Sequence, residues 1–130
     1  MGTDIHGVVE ELSSSDNAWS LVYVLRVNDR AGARNYKQFA ALAGVRGEGP
    51  EPRGLPSDIS DATRYLWETI GDHTPSWLFV SEAVQIFQER PRYIAEPARV
   101  PEEDWCDEVE YWFGESGLKP DDRFVFWFDS

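Results

Sequence analysis

The sequence is poor in cysteine, histidine and positive charge, and these shortages restrict the classes of protein that it can belong to. One cysteine, Cys106, in 130 residues excludes an intrachain disulfide and any zinc site built from several cysteines. Two histidines leave little room for metal or acid–base chemistry that depends on imidazole. Because 12 basic residues face 24 acidic ones, the net charge is -12, and we expect no direct contact with nucleic acid.

Long apolar runs and signature motifs are also missing. No segment approaches the roughly 20 apolar residues that span a bilayer, and the first residues lack the basic and apolar regions of a secretory signal. We therefore expect a cytoplasmic protein that does not contact membranes. The chain contains no GxSxG, GxxxxGKS/T, GxGxxG or HExxH pattern, so we assign no catalytic residue and no cofactor.

What the sequence does contain is typical of a single domain covering residues 1–130. Hydrophobic residues make up 42% of the chain and aromatic residues 14%, which is enough for a core of bulky side chains. A chain of this length buries roughly two thirds of its unfolded surface, so it needs no disulfide or metal to fold.

Alternating and continuous apolar patterns predict three strands. Residues 5–12 and 18–27 are rich in Val, Leu, Tyr and Trp, and the polar cluster between them predicts a β-hairpin. Five apolar residues of the second strand are expected to share one buried face: Trp19, Leu21, Tyr23, Leu25 and Val27. Residues 124–128 are all apolar, so both faces of a strand there would be apolar. This pattern predicts a buried strand added to the hairpin.

Helical spacing and capping residues predict three or four helices. The first covers 34–43, and the second runs from the Ser60 cap to Ile70, each followed by a glycine. Ser81 predicts the start of a third helix over 82–90, whereas 72–80 is interpreted as a loop leading into a short extended piece. A fourth helix is predicted over 102–113. The expected fold class is α+β: a small antiparallel sheet, made of the N-terminal hairpin plus the C-terminal strand, with these helices packed on it.

Charge is distributed unevenly along the chain. Between Arg26 and Arg53, six cations outweigh three anions, a local excess of +3, while the rest of the chain sums to -15. The same stretch ends in a loop over 47–56 that holds three glycines and three prolines and is therefore stiff. A second biased segment, the acidic C-terminal region 96–122, follows much later. An anionic ligand would be drawn to the basic stretch.

Arginine guanidinium groups near aromatic rings are the best candidates for binding that ligand. Arg34, Arg46 and Arg53 can each hold a phosphate or carboxylate through two hydrogen bonds. Tyr36 or Trp77 could stack on a base. The predicted ligand-binding set is Arg34, Asn35, Tyr36, Arg46, Arg53, His73, Ser76 and Trp77. Taken singly, each arginine is better explained by pairing with a surface carboxylate, but as a group beside a stiff loop they favour a binding site.

Both histidines stand near an aspartate, which leaves a metal site open as an alternative. Asp4 and His6 would point to the same face of a strand, and Asp72 and His73 could complete the ligand set. The simpler interpretation is hydrogen bonding at a sheet edge and in a loop, because no multi-histidine motif supports a metal.

Four short motifs in combination resemble a family of small bacteriophage and prophage proteins. They are TDIH at 3–6, RNYxxFxxL at 34–42, PRGLPxDxS at 52–60 and HxxSWL at 73–78. The resemblance covers roughly residues 3 to 80, and the family pattern has a serine after the histidine where this chain has Thr74 and Pro75. No activity is settled for the family, so the resemblance implies mainly a setting, the cytoplasm of an infected or lysogenic bacterial host.

Three hypotheses about function follow. The first is a counter-defence protein that binds an anionic, nucleotide-derived small molecule and sequesters a host immune signal, with shared pocket walls in a homo-oligomer. The second is an acidic inhibitor whose 96–122 region imitates DNA and binds a basic host protein. The third is a metal-dependent phosphoesterase that uses Asp4, His6, Asp72 and His73.

Overall fold

The computed structural model describes residues 4–25, 36–45, 49–89 and 117–129, together with 105, 109, 110, 113 and 114. This part of the chain contains four strands and three helices. In order they are β1 (Asp4–Leu12), β2 (Trp19–Val24), α1 (Tyr36–Ala43), α2 (Asp61–Ile70), β3 (His73–Phe79), α3 (Val80–Glu89) and β4 (Arg123–Asp129).

All four strands form one antiparallel sheet in the order β2-β1-β4-β3. The predicted hairpin is β1 with β2, and the predicted C-terminal strand is β4, which pairs with β1. Six of the seven β4 residues are buried, as expected for a strand with neighbours on both sides. The α+β fold class with a small antiparallel sheet is confirmed.

Strand β3 is the element that the sequence patterns did not predict at its full length. Residues 73–79 form a seven-residue edge strand where only a loop and a short extended piece were expected. Thr74 has a φ of 56° and the register with β4 shifts between His73 and Ser76. Because this irregularity and Pro75 interrupt the alternation of side chains, the local pattern does not look like a strand.

The two faces of β4 carry different chemistry. Phe124, Phe126 and Phe128 point to one face, where their rings stack or meet edge to face at 4.8 and 5.9 Å. Gly7 of β1 leaves room for this packing, since a Cβ there would lie 2.6 Å from a ring carbon of Phe124. On the opposite face the rings of Trp127 and Trp67 of α2 meet edge to face at 5.6 Å.

A β-bulge overturns the prediction that the apolar residues of β2 share one face. Val9 lies opposite Tyr23 but the next residue, Glu10, lies opposite Leu21, so β2 has one extra residue. The hydroxyl of Tyr23 donates to the carbonyl of Phe113 at 2.7 Å on the phenylalanine face. Trp19 instead lies on the other face. Leu25 follows the strand, and Val27 lies outside the described residues.

Helix ends follow the capping signals at two sites and depart from them at a third. Gly44 ends α1 with a φ of 76°, and Ser60 caps α2 by accepting a hydrogen bond from the Thr63 amide. Helix α3 begins at Val80, so Ser81 lies inside the helix and is not its cap.

Of the predicted 102–113 helix only 105, 109, 110 and 113 are described, each with helical backbone. No helix in the described part is long and apolar enough to cross a membrane.

A buried ion pair joins the two central strands to α2. The guanidinium of Arg123 donates to Glu10 Oε1 at 3.0 and 2.6 Å, and Glu10 has no exposed surface. Glu10 Oε2 accepts from the Ser60 amide at 2.8 Å and from the Thr63 hydroxyl at 2.7 Å. Both oxygens of the buried carboxylate therefore have hydrogen-bond donors.

The other terminal nitrogen of Arg123 also has a partner, and the plane of the guanidinium contacts a ring. Its Nη1 donates to Asp58 at 2.7 Å, and the centre of its guanidinium lies 4.0 Å from the ring centroid of Trp19. This group, Glu10, Arg123, Asp58, Thr63 and Trp19, is called the Arg123 network below. Because every member has its partner, the network fixes the loop before α2 against the sheet.

Removal of one partner from the Arg123 network should destabilise the chain strongly. Arg123→Met leaves the Glu10 carboxylate buried without a cation, and we expect the free energy of unfolding to fall by about 3–5 kcal/mol. Adding Glu10→Gln removes the stranded charge but keeps an acceptor for Ser60 and Thr63, so the double variant should recover part of the loss. Urea denaturation measures both.

The matched control is Arg64→Met on the exposed surface of α2, which should change stability by less than about 0.5 kcal/mol. Equal losses in the Arg123 and Arg64 variants, or a double variant less stable than Arg123→Met, would contradict the account of the network.

Candidate functional site

A pocket of about 300 Å³ lies between α1, the proline-rich loop, β3 and α3. Its apolar lining comes from five aliphatic side chains: Ala41, Leu42, Pro50, Leu78 and Ile86. Its polar lining comes from Glu51, Arg53, Glu82 and Gln85. The pocket therefore combines aliphatic residues with charges of both signs.

The loop that carries Arg53 is fixed against the outer edge of β3. The Arg53 amide donates to Ser76 Oγ at 2.8 Å, and Ser76 is only 1% exposed. The Gly54 amide donates to the Pro75 carbonyl at 3.1 Å, and its φ of 78° is a conformation that glycine adopts without strain. These contacts place the Arg53 side chain at the pocket.

Two contacts orient the guanidinium of Arg53. Its Nη1 and Nη2 donate to the two carboxylate oxygens of Glu82, each at 3.1 Å. Its central carbon lies 4.9 Å from the ring centroid of Trp77. Both side chains of the ion pair are 40% exposed, so water screens their attraction.

Glu82 has a second role at the start of α3. Its Oε1 accepts from the Phe79 amide at 2.9 Å, which satisfies a donor that the first turn of the helix leaves open. The hydrogen bonds from Arg53, with the Phe79 amide as a smaller cause, hold the pKa of Glu82 below its usual value. Glu82 stays ionised at neutral pH and closes the ion pair beside the pocket.

The structure brings together part of the predicted ligand-binding set. Arg53, Ser76 and Trp77 contact one another as described above. His73 lies three positions earlier in β3, with its Nδ1 2.9 Å from Thr74 Oγ1 and its ring stacked on Phe128 at 6.3 Å. Arg34, Asn35 and Arg46 lie outside the described residues, and Tyr36 is described only as the first residue of α1.

Sequence reasoning missed Glu82, Glu51 and Gln85 as members of the site. A usable signal existed for Glu82, because a glutamate at the third position of a helix often accepts a hydrogen bond from the capping residue's amide. With Ser81 taken as the cap, Glu82 is the first residue of the helix and the signal does not apply. The helix in fact begins at Val80, with Phe79 as the capping residue and Glu82 at the third position. The ion pair with Arg53, 29 residues away, leaves no local trace.

The four candidate metal ligands do not gather in one place. His6 Nε2 lies 2.6 Å from Asp129 Oδ2, and Asp129 Oδ1 accepts from the Asp4 amide at 3.2 Å. By strand register His6 lies opposite Trp127 and His73 lies opposite Phe128, so the two histidines point to opposite faces. Asp72 precedes β3. Among the described residues no three His, Cys, Asp or Glu side chains form a group that could hold a metal ion.

Comparisons of the chain with protein-family models, with curated proteins and with solved structures gave no match. The chemistry of the pocket is therefore inferred from its own residues.

Acid should weaken the fold through carboxyl groups that arginines keep ionised. Hydrogen bonds from Arg123 lower the pKa of Asp58 from 3.8, and those from Arg53 lower the pKa of Glu82 from 4.5. Each of these pKa values is lower in the folded chain than in the unfolded chain. The resulting stabilisation is therefore complete when the pH is above the unfolded-state pKa, and it is lost as the pH falls through the folded-state pKa. Glu82→Gln should thus cost about 1 kcal/mol or less at neutral pH, and a smaller amount at about pH 2.

Urea denaturation at the two pH values tests this difference. Glu68→Gln, an exposed glutamate of α2, is the control and should show no such pH dependence. A cost for Glu82→Gln that is the same at both pH values would contradict the assignment.

Proposed function

We propose that the chain is a binding protein that holds a small molecule bearing an anionic group in the pocket beside Arg53. The observation that carries the proposal is the fixed guanidinium: Arg53 is oriented at an aliphatic pocket by Glu82, by the Trp77 ring and by the anchoring of its own backbone. A guanidinium held in this way loses little conformational freedom when it binds a ligand.

Glu82 occupies the position that the anionic group of a ligand would take. Its carboxylate accepts two parallel hydrogen bonds from Arg53, which is the geometry that a bound carboxylate or phosphate would reproduce. An exposed ion pair of this kind is worth only about 0–1 kcal/mol, so a ligand with further contacts can displace Glu82. The buried Arg123 cannot act similarly, because its donors already have partners.

The proposal includes the setting predicted from the sequence motifs. A protein that binds without reacting lowers the free concentration of its ligand, which would let a phage-type protein in the bacterial cytoplasm sequester a host signal. The volume of the pocket is at the lower end of the range of about 300–1,000 Å³ for ligand sites, which suits a molecule no larger than a nucleotide. Direct nucleic-acid binding stays disfavoured by the net charge of -12.

Two substitutions in the ion pair should act in opposite directions on the binding of purely anionic ligands. Arg53→Gln removes the guanidinium and should weaken binding about tenfold or more, since a charged hydrogen-bonded contact is lost. Glu82→Gln removes the competing carboxylate and should strengthen binding severalfold. Isothermal titration calorimetry with AMP, inorganic phosphate and N-acetylleucine measures both changes.

Arg64→Gln makes the same chemical change on the exposed surface of α2 and should leave every affinity as it is. The proposal is wrong if neither these three probes nor leucine binds at millimolar concentration. It is equally wrong if Arg53→Gln and Arg64→Gln have the same effect.

A further inference from the structure

The pocket presents charges of both signs within one small volume. Arg53 is the cation among the described lining residues, whereas Glu51 and Glu82 are anions. The pocket therefore has a net charge of -1 from these three side chains, in a protein whose net charge is -12. A ligand that is only negative gains one favourable partner and approaches two carboxylates, and a multiply charged anion is repelled most.

A ligand carboxylate that binds Arg53 displaces Glu82 from it, so the charge of any second polar group on the ligand becomes important. When a ligand carboxylate binds Arg53, Glu82 keeps its hydrogen bond from the Phe79 amide but loses its cationic partner. A ligand that also carries an ammonium group can supply that partner. One ion pair is then exchanged for two, and Glu82 regains a cationic partner.

The aliphatic part of the lining indicates which uncharged group of a ligand fits the pocket. Aliphatic residues from three elements, Leu42 of α1, Leu78 of β3 and Ile86 of α3, line the pocket. No aromatic side chain lines the pocket in the part of the chain that the structure describes. The nearby Trp77 already has the Arg53 guanidinium over its ring. An aliphatic group fits this lining better than a nucleobase, which needs a flat partner for stacking.

We propose that the pocket binds a zwitterionic aliphatic α-amino acid, with leucine as the representative probe. This inference rests on the proposed function, because it assigns the ligand class of the same site. The carboxylate binds Arg53, the ammonium group pairs with Glu82, and the side chain packs against Leu42, Leu78 and Ile86. Binding involves no covalent step and needs no cofactor.

Removal of either charge from the ligand tests the assignment. N-acetylleucine keeps the carboxylate and lacks the ammonium group, whereas leucinamide keeps the ammonium group and lacks the carboxylate. Calorimetry should show that leucine binds the wild-type chain about tenfold or more tightly than either analogue, because each loses one charged contact.

The variants should change these affinities in a crossed pattern. Glu82→Gln should weaken leucine binding and strengthen N-acetylleucine binding, since the same carboxylate attracts one ligand and competes with the other. Ala41→Leu narrows the pocket and should weaken leucine binding, while Ala62→Leu on the exposed surface of α2 should not. Circular dichroism spectra and thermal unfolding establish that each variant is folded.

The outcomes separate this inference from the proposed function. If AMP, phosphate or N-acetylleucine binds in an Arg53-dependent manner and leucine binds no more tightly, the zwitterion assignment is overturned and the proposed function stands. If leucine binds but Glu82→Gln strengthens its binding, the assignment of the ammonium group is overturned. If no probe binds, both proposals fail.

Discussion

The pairing of Glu10 with Arg123 is the interaction on which the rest of the fold depends. A carboxylate with no exposed surface is tolerated inside a protein only when every lone-pair direction finds a donor. Here the donors come from β4, from the amide of Ser60 and from the hydroxyl of Thr63. The requirement to satisfy one buried charge therefore sets where α2 begins, which face of the sheet it covers and where the end of the preceding loop is attached to the sheet.

That constraint also positions the pocket. The loop that ends in Asp58 and Ser60 is tied to the Arg123 network, and its earlier part is tied to β3 through the amides of Arg53 and Gly54. Strand β3 in turn pairs with β4, whose phenylalanines form the centre of the core. Held at Arg53 and Gly54 and again at Asp58 and Ser60, the loop keeps Arg53 beside Glu82 and α3. The side chain proposed to bind the ligand lies on an irregular segment and is thus oriented by the regular part of the fold.

Two arginines of this chain show how burial decides the role of one residue type. Arg123 is 4% exposed, and its carboxylate partners and the Trp19 ring surround it, so it stabilises the fold and has nothing to offer a ligand. Arg53 has the same kinds of partner, a carboxylate and a tryptophan ring, but the ion pair is 40% exposed. Water weakens the pair at Arg53, and a competing ligand can reach it. The contrast explains why the proposed function is assigned to the weaker ion pair.

The sequence by itself determined the features that depend only on residues close together in the chain. The hairpin, the buried final strand, the Ser60 cap and the Gly44 stop were predictable, because alternation, capping and left-handed backbone are set within a few positions. Candidate residues Arg53, Ser76 and Trp77 could be named, but not the contacts among them. The β2 bulge, the irregular strand β3 and the pairs Arg53–Glu82 and His6–Asp129 were decided only by tertiary structure. His6 and Asp129 are 123 positions apart, and a contact of that kind exists only after the strands have paired in register, so no local pattern can encode it.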